Sequence, residues 1–391
     1  MSKTEISWTQ HTWGPVRGCQ RVSPGCGGGV KGPEGEQGGC YAEAMAARLV
    51  RMGGYEWIDG AWRDDPEKKW TPASRASADR YKDLVRINKD GKPRWTGVFA
   101  FDAEKLSEPL RRKAPTMYFV NSMSDLFGEG LTNEQIAAVF GVMAACPQHT
   151  FQILTKRAAR MAEWFKWIVG EGEELESAVG TSPPATSSAT GSACVSYAGE
   201  EVLGARGSAN AYSRAPWPLP NVWLGISAER QEEADERIPL LLQCPAAVRW
   251  VSAEPLLGPV DITRTWGDGG RREGVMAHLI DWIVWGGESG HGARPCDVQW
   301  IRDGVTECRG AGVPAFVKQL GAHVIVCGGG RWGGKGDPRP SDYSNSIVQN
   351  WRVALNDKKG ANMAEWPEDL RVRKWPRGFA PPKSKALPVI A

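Results

Sequence analysis

Three cysteines near the start of the chain are the residues whose types and spacing could support metal chemistry. Cys19, Cys26 and Cys40 each follow a glycine, with six residues between the first two and thirteen between the last two. Thiolates are soft ligands favoured by iron–sulfur clusters and zinc, and three of them leave a fourth coordination position open. Three ordinary thiols are the alternative, because this spacing alone is not a strong metal signature.

Polar residues at the ends of predicted strands are the second set of candidates. Short apolar runs separated by helical stretches predict buried parallel strands in βα units. These runs are Met117–Asn121, Phe151–Leu154, Asn221–Ile226, Val248–Ser252, Trp282–Trp285 and Ala315–Val317. The carboxyl ends of parallel strands form the active face of such folds. The candidates there are Ser122, Ser124, Asp125, Lys156, Ser227, Glu254, Glu288 and Arg294. Helix caps and turn formers are the alternative reading for each one.

Two helices can be placed from their residues. Thr132 and Gln135 fit a capping box, which predicts a helix running to about Cys146. A second helix is expected after Cys40, and its apolar face is predicted to anchor the cysteine loop by packing. That predicted face consists of Tyr41, Met45, Leu49 and Met52. Further helices are expected to reach about Val169 and to span Glu229–Leu242.

The chain is expected to form one α/β domain over residues 1–327, with an irregular basic extension over residues 328–391. Three insertions are predicted in the domain, at residues 27–39, 53–97 and 170–216, and the last is expected to be a mobile loop rich in Gly, Ser and Ala.

Composition excludes several classes of function. The formal net charge of +3 is nearly balanced for 391 residues, so any nucleic-acid surface must be local. Nine cysteines without a secretory signal argue against a disulfide framework, and the chain is expected to be cytoplasmic. The five histidines are isolated in sequence, and no Ser-His-Asp or zinc-protease motif is present. The Gly286–Gly290 loop lacks the lysine of a phosphate-binding P-loop.

Longer segments carry a resemblance to a known family. They are TEISWTQHTWGPVRGC, CYAEAMA, YFVNSMSDLFGE, FQILTKRAARM, NVWLGISAERQEEADERIPLLL, VRWVSAEPLLGPVD, WIVWGGESGHGARP, FVKQLG and EWPEDLRVRKWP. With these segments in this order, the sequence resembles the phage Gp37/Gp68 family, a radical S-adenosylmethionine-like group. Weaker similarity links NSMSDLF and LTKR to the spore photoproduct lyase branch. The resemblance implies a partial or complete (β/α) barrel of radical SAM type, with the cysteine loop after a first strand near Trp8–Trp13.

The resemblance also implies cofactors. Cys19, Cys26 and Cys40 would hold a [4Fe–4S] cluster, and S-adenosyl-L-methionine would bind its unique iron and yield a 5′-deoxyadenosyl radical. We assign Ser122, Ser124 and Asp125 to the methionine portion of that cofactor, because hydroxyl and carboxylate oxygens accept from an ammonium. Lys156 and Arg294 are assigned to anionic groups. Ser227 and Glu254 are assigned to ribose hydroxyls, with Glu288 beside them in the same strand-end set.

This sequence departs from the family pattern at one point. The family places its second and third cysteines two residues apart, whereas Gly27–Gly39 separate Cys26 from Cys40 here. Loop-closure cost rises slowly with length, so a glycine-rich insertion is compatible with an intact cluster.

The phage association and the weaker lyase similarity imply a nucleotide or nucleic-acid base as substrate. The family resemblance also implies an external electron donor and a three-Cys-motif partner protein. A non-catalytic metal-binding or nucleic-acid-binding phage protein is the second hypothesis. This second hypothesis is supported by a C-terminus in which basic and aromatic residues are interleaved. Basic residues can bind the phosphates of a nucleic acid, and aromatic rings can stack on its bases. These residues are Arg371, Arg373, Lys374, Arg377, Lys383, Lys385, Trp375 and Phe379. A solvated tail is the alternative reading.

Overall fold

The structure is a computed structural model of the chain. It describes residues 2–4, 6–27, 31–32, 35–36, 38–179, 216–263, 279–327, 332–335, 338–340 and 351–379. The predicted mobile loop spans residues 170–216, and residues 180–215 of it lie outside the described residues.

The strands and helices in these residues are numbered in chain order. The strands are β1 (Ser2–Lys3), β2 (His11–Trp13), β3 (Val16–Arg17), β4 (Lys31–Gly32), β5 (Gly35–Glu36), β6 (Tyr55–Ile58), β7 (Ala61–Asp64), β8 (Val85–Ile87), β9 (Pro93–Trp95), β10 (Ala100–Phe101), β11 (Met117–Val120), β12 (Thr150–Thr155), β13 (Val222–Ser227), β14 (Val248–Ala253), β15 (Trp282–Gly286), β16 (Cys296–Asp297), β17 (Ala315–Gln319), β18 (Val324–Val326), β19 (Pro338–Pro340) and β20 (Trp351–Val353). The helices are α1 (Tyr41–Met52), α2 (Pro72–Asp79), α3 (Ala103–Leu106), α4 (Asn133–Ala144), α5 (Ala158–Val179), α6 (Gln231–Gln243) and α7 (Val298–Ala311).

The chain divides into two compact units. The first contains residues 1–5, 9–26 and 39–222, and the second contains residues 6–8, 27–38 and 223–391. Both units combine parallel strands with helices, which confirms the mixed α/β class predicted from the alternation of apolar runs and helical stretches. Of the predicted insertion at residues 27–39, residues 27–38 belong to the second unit and Gly39 belongs to the first.

The first unit contains the parallel strands β2, β11 and β12, with β1 antiparallel to the outer side of β2. Val120 in the central strand pairs with Trp13 on one side and with Ile153 on the other. Because the three strands are parallel, the loops that follow them leave from one edge of the sheet. The cysteine loop follows β2, as the resemblance implied.

Helix α4 begins as the capping box predicted. The Thr132 hydroxyl accepts from the backbone N–H of Gln135, whose side chain accepts from the Thr132 N–H. Helix α5 extends to Val179, ten residues beyond the predicted end at about Val169.

Helix α1 corrects the prediction about its buried face. Tyr41 and Met52 are exposed, with 66% and 53% of their surface accessible. The buried face instead carries small residues, namely Ala42, Ala46, Ala47 and Val50. Small side chains let neighbouring elements approach the helix closely, and the larger apolar residues remain at its margin.

The predicted insertion at residues 53–97 has its own ordered structure. It forms the hairpins β6–β7 and β8–β9 and the helix α2, whose N-terminus is capped by Thr71. Tyr55, Leu84, Val85 and Trp95 pack with the small-residue face of α1 in one apolar cluster. Cys19 and Cys40 lie against this cluster. The insertion therefore helps to support the helix and loop that carry the cysteines.

The second unit contains four parallel strands in the order β13, β14, β15 and β17. A smaller sheet has the order β16, β18, β20 and β19. Tryptophans dominate the core, where Trp250, Trp282 and Trp285 are fully buried. The ring of Trp282 stacks on that of Trp375 with 5.4 Å between centroids. Among the described residues, no helix is long and apolar enough to cross a membrane.

Candidate functional site

The loop that carries Cys19 is fixed to the end of β11 in the first unit. Gly18 forms a parallel bridge with Ser124, whose hydroxyl donates a 2.6 Å hydrogen bond to the Gly18 carbonyl oxygen. Gly18 has a φ of 79°, a left-handed conformation that favours glycine. The structure thus brings one predicted strand-end residue, Ser124, to the cysteine loop, although its hydroxyl donates to the protein itself. Ser122 lies on the same turn and is partly exposed.

Asn121 reinforces this connection. Its backbone N–H donates to the Trp13 carbonyl oxygen over 2.7 Å, and its side-chain oxygen accepts from the Val16 N–H over 3.3 Å. A φ of 56° places Asn121 in the left-handed region, a backbone conformation that is uncommon outside glycine. Residues in such conformations are often found at functional sites. Its Nδ2 is buried and has no hydrogen-bond partner among the described residues.

Asp125 is buried and is engaged by four donors of its own chain. Its carboxylate accepts from the Thr155 hydroxyl at 2.7 Å and from the guanidinium of Arg157 at 3.1 Å. The backbone N–H groups of Phe127 and Lys156 donate to it at 3.0 and 3.2 Å. A carboxylate offers about four lone-pair sites, so these donors match its capacity. The assignment of Asp125 to a cofactor ammonium stays a prediction, and this geometry instead makes it the group that holds Arg157. Lys156 itself is partly exposed.

Arg157 joins this carboxylate to the cysteine loop. Its Nη2 donates to the Gln20 carbonyl oxygen over 2.8 Å, and its Nη1 lies 3.9 Å from the sulfur of Cys19. Its Nε is buried without a hydrogen-bond partner among the described residues. Arg157 was not among the predicted site residues. Its position directly after Thr155 and Lys156, at the end of a predicted strand, is the sequence signal that could have identified it.

The three predicted cysteine ligands lie within electrostatic range of one another. Burial is the main cause that raises the pKa of the Cys19 thiol to about 12. Asp125 raises that pKa further, Arg157 lowers it, and the thiols of Cys40 and Cys26 raise it. Cys19 and Cys40 also pack against the same apolar cluster, although thirteen residues lie between Cys26 and Cys40 in the chain.

Cys40 lies at the N-terminus of α1, as its N-cap residue. Burial raises the pKa of the Cys40 thiol and Glu43 raises it further, while backbone N–H groups of Glu43 and Ala42 lower it. Exposed N–H groups at a helix N-terminus favour anions, so this position is suited to a metal-bound thiolate.

Glu43 connects the cysteine loop to α1. This buried carboxylate accepts from the Arg21 Nε at 3.0 Å and Nη2 at 2.6 Å, and from the Trp95 N–H at 3.1 Å. Arg21 lies between Cys19 and Cys26, so the pair fixes the middle of the loop to the helix that follows Cys40. Sequence reasoning missed this pair, since nothing in the residue spacing relates Arg21 to Glu43.

An iron–sulfur cluster needs soft ligands and hydrogen-bond donors close to its sulfurs. Among the described residues, no three His, Cys, Asp or Glu side chains converge as they would around one metal ion. A cluster held by three thiolates bonds each to a different iron, so its ligands need not converge on one point. The donor set is soft, and Arg157, whose Nη1 lies 3.9 Å from the Cys19 sulfur, is a buried hydrogen-bond donor at this loop. The residues therefore fit such a group.

Ser227 and Glu254 lie in the second unit, at the carboxyl ends of β13 and β14. The Ser227 carbonyl oxygen accepts from Arg237, which also bonds to the buried Glu229 over 3.1 Å. Glu254 accepts from the ammonium of Lys318 at 2.6 Å and from the Gln319 amide at 3.2 Å. Lys318 and Gln319, which follow the predicted strand Ala315–Val317, were not among the predicted site residues.

Glu288 and Arg294 form a buried ion pair in the same unit. The Nε and Nη2 of Arg294 donate to the Glu288 carboxylate at 2.8 and 2.9 Å, and its backbone N–H donates there too. Gly38, at the end of the predicted insertion, approaches the Arg294 side chain so closely that a Cβ would overlap the guanidinium. Arg294 is thus already neutralised, and its assignment to an anionic group of a cofactor stays a prediction.

The basic C-terminal residues are partly used in packing. The guanidinium groups of Arg371, Arg373 and Arg377 donate to backbone carbonyl oxygens of Trp366, Val317 and Gly312, respectively. Trp375 and Phe379 join the aromatic cluster around Trp282 and Trp223. Lys383 and Lys385 lie outside the described residues.

The fold and the cysteine loop define a mixed α/β protein with a thiol-rich loop at the carboxyl ends of parallel strands. A family model described as "Protein of unknown function (DUF5131)" matches residues 3–331. This match covers more than half of the 391 residues, so the chain belongs to that family. No curated protein and no solved structure matches the chain.

Proposed function

We propose that this protein is a radical S-adenosylmethionine enzyme whose [4Fe–4S] cluster is held by Cys19, Cys26 and Cys40. The observation that carries the proposal is that the Cys19 loop is bonded to the turn after β11, and that Cys19 and Cys40 pack against one apolar cluster of the first unit. When bound, such a cluster supplies the electron for reductive cleavage of S-adenosyl-L-methionine. The partial (β/α) barrel of radical SAM type and the place in the Gp37/Gp68 family belong to the same proposal.

In this proposal the protein's own residues hold the loop in place. Ser124 and Asn121 fix its start to β11, and the Arg21–Glu43 pair fixes its middle to α1. A cluster-binding loop must keep its ligands in position when the metal is absent, and three separate anchors serve that need. Ser122 is the partly exposed hydroxyl beside the loop and is proposed to contact the methionine portion of the cofactor.

The remaining parts of the proposal rest on the resemblance. The substrate is a nucleotide or nucleic-acid base, an external donor supplies the electron, and a three-Cys-motif protein is the partner. We propose the cytoplasm as the compartment, because the eight cysteines in the described residues are all free thiols and a reducing compartment preserves them.

Anaerobic reconstitution with iron and sulfide tests the proposal. The expected result is a brown protein with a paramagnetic resonance signal after reduction and reductant-dependent release of 5′-deoxyadenosine. Alanine at all three of Cys19, Cys26 and Cys40 should abolish the signal and the product. Cys327→Ala is the matched control, because Cys327 is also a free, partly exposed thiol but lies in the second unit. A colourless wild-type protein that binds only zinc would overturn the proposal.

A further inference from the structure

Arg157 is more deeply embedded than a surface guanidinium. Only 5% of its side chain is exposed, and its guanidinium lies over the ring of Phe99 at 5.7 Å. Its contacts divide between Asp125 on one side and the Cys19–Gln20 backbone and sulfur on the other. The charge therefore lies between a fixed carboxylate and a proposed cluster ligand.

The position of this charge is determined by the fold. Asp125 is itself held by the Thr155 hydroxyl and by two backbone N–H groups, so it cannot turn away from Arg157 without losing several hydrogen bonds. The Nη2 bond to Gln20 then fixes the loop relative to the guanidinium. A planar guanidinium holds several N–H donors in fixed directions, so it can bond to two partners at once. A lysine ammonium is a compact charge on a flexible stem, and its hydrogen bonds are less directed.

We propose that Arg157 is a positioning residue that anchors the Cys19–Gln20 loop and raises the reduction potential of a cluster bound at Cys19, and that Asp125 opposes its charge. This inference rests on the proposed function. Hydrogen bonds to cluster sulfurs and nearby charges set the reduction potential of an iron–sulfur group. A reduced cluster carries one more negative charge than the oxidised one, so a nearby cation favours reduction and a nearby anion disfavours it.

The two charges give predictions of opposite sign. Arg157→Gln should lower the equilibrium constant for one-electron reduction by about tenfold, which corresponds to about 59 mV. Asp125→Asn should change it in the opposite direction, because it leaves the cation and removes the anion. Arg157→Lys keeps the charge with fewer directed hydrogen bonds, so its potential should lie between those of wild type and Arg157→Gln.

Arg237→Gln is the matched control. Arg237 is 4% exposed at its side chain and pairs with Glu229 at 3.1 Å, the same separation as Arg157 and Asp125, but it lies in the second unit. Its substitution removes an equivalent buried cation from the protein. It should leave the midpoint potential unchanged, so a general loss of stability is separated from an effect at the cluster.

Potentiometric titration followed by paramagnetic resonance measures these shifts. Hydrogen–deuterium exchange of the metal-free protein measures anchoring alone. In Arg157→Gln, peptides containing Cys19 and Gln20 should exchange at least tenfold faster, while Arg237→Gln should leave them unchanged. Equal potentials in wild type, Arg157→Gln and Asp125→Asn would overturn the charge effect. Unchanged exchange would overturn the anchoring role. If wild type binds no cluster, the proposed function and the charge effect both fail, and the exchange result alone decides the anchoring role.

Discussion

Replacing Gly18 by alanine should displace the proposed ligand Cys19 and destabilise the first unit. Gly18 has a φ of 79°, and a Cβ there would overlap the Val98 carbonyl oxygen, with the Val98 carbonyl carbon 3.2 Å away. The left-handed conformation costs an alanine about 1–2 kcal/mol. The steric overlap adds about 1–3 kcal/mol, the usual cost of overpacking. Together they should lower the free energy of unfolding by about 2–5 kcal/mol.

Gly60→Ala separates these two costs. Gly60 has a φ of 78°, nearly that of Gly18, but a Cβ there would meet no atom within 4 Å. Its substitution should therefore cost only the conformational part, about 1–2 kcal/mol. Urea unfolding followed by tryptophan fluorescence measures both variants, and iron content after reconstitution shows whether Cys19 has moved. Equal losses of stability with equal iron content would refute the reasoning.

Three further predictions concern stability. Thr132→Ala should lower the free energy of unfolding by about 1 kcal/mol because it removes the cap of α4, whereas Thr132→Ser should retain it. Burial lowers the pKa of His149 below 6.5, so the unfolded chain binds more protons and stability should fall as pH drops below 6.5. His149→Gln should flatten that pH dependence in urea titrations from pH 5 to about 7. Trp375→Ala should lower the free energy of unfolding by about 2 kcal/mol, because it removes the stack on Trp282. Replacing the more exposed Trp351 by alanine should lower it by less than about 0.5 kcal/mol. Equal losses in the two variants would contradict this packing.

Six parallel strands could be predicted from the sequence, because each is a short apolar run bounded by turn or helix signals; they are β11, β12, β13, β14, β15 and β17. The strand β2 is short and not apolar throughout, and only the family resemblance indicated it. The start of α4 was equally legible, since a capping box is a local pattern that needs no tertiary information. The buried face of α1 was predicted wrongly. Large apolar residues gave the clearer periodicity, but packing against the 53–97 segment selected the alanines.

The candidate site was predictable only in part. Cysteines beside glycines pointed to the loop, and polar strand ends pointed to the turn after β11. The partners that fix the loop were not predictable, because Arg157 and Cys19 are separated by 138 positions in sequence. Asp125 shows the same limit. A carboxylate at a strand end suggests ligand binding, whereas its actual hydrogen bonds are determined by neighbours that only the folded chain brings together.

The most direct test of the central claim is paramagnetic resonance of the anaerobically reconstituted and reduced protein, with iron and sulfide assayed in the same sample. The proposed cluster predicts about four irons and four sulfides per chain and a reduced-cluster signal. Cys327→Ala should keep that signal, and alanine at Cys19, Cys26 and Cys40 together should lose it. A signal of unchanged intensity in the triple variant, or none in the wild-type protein, would contradict the account.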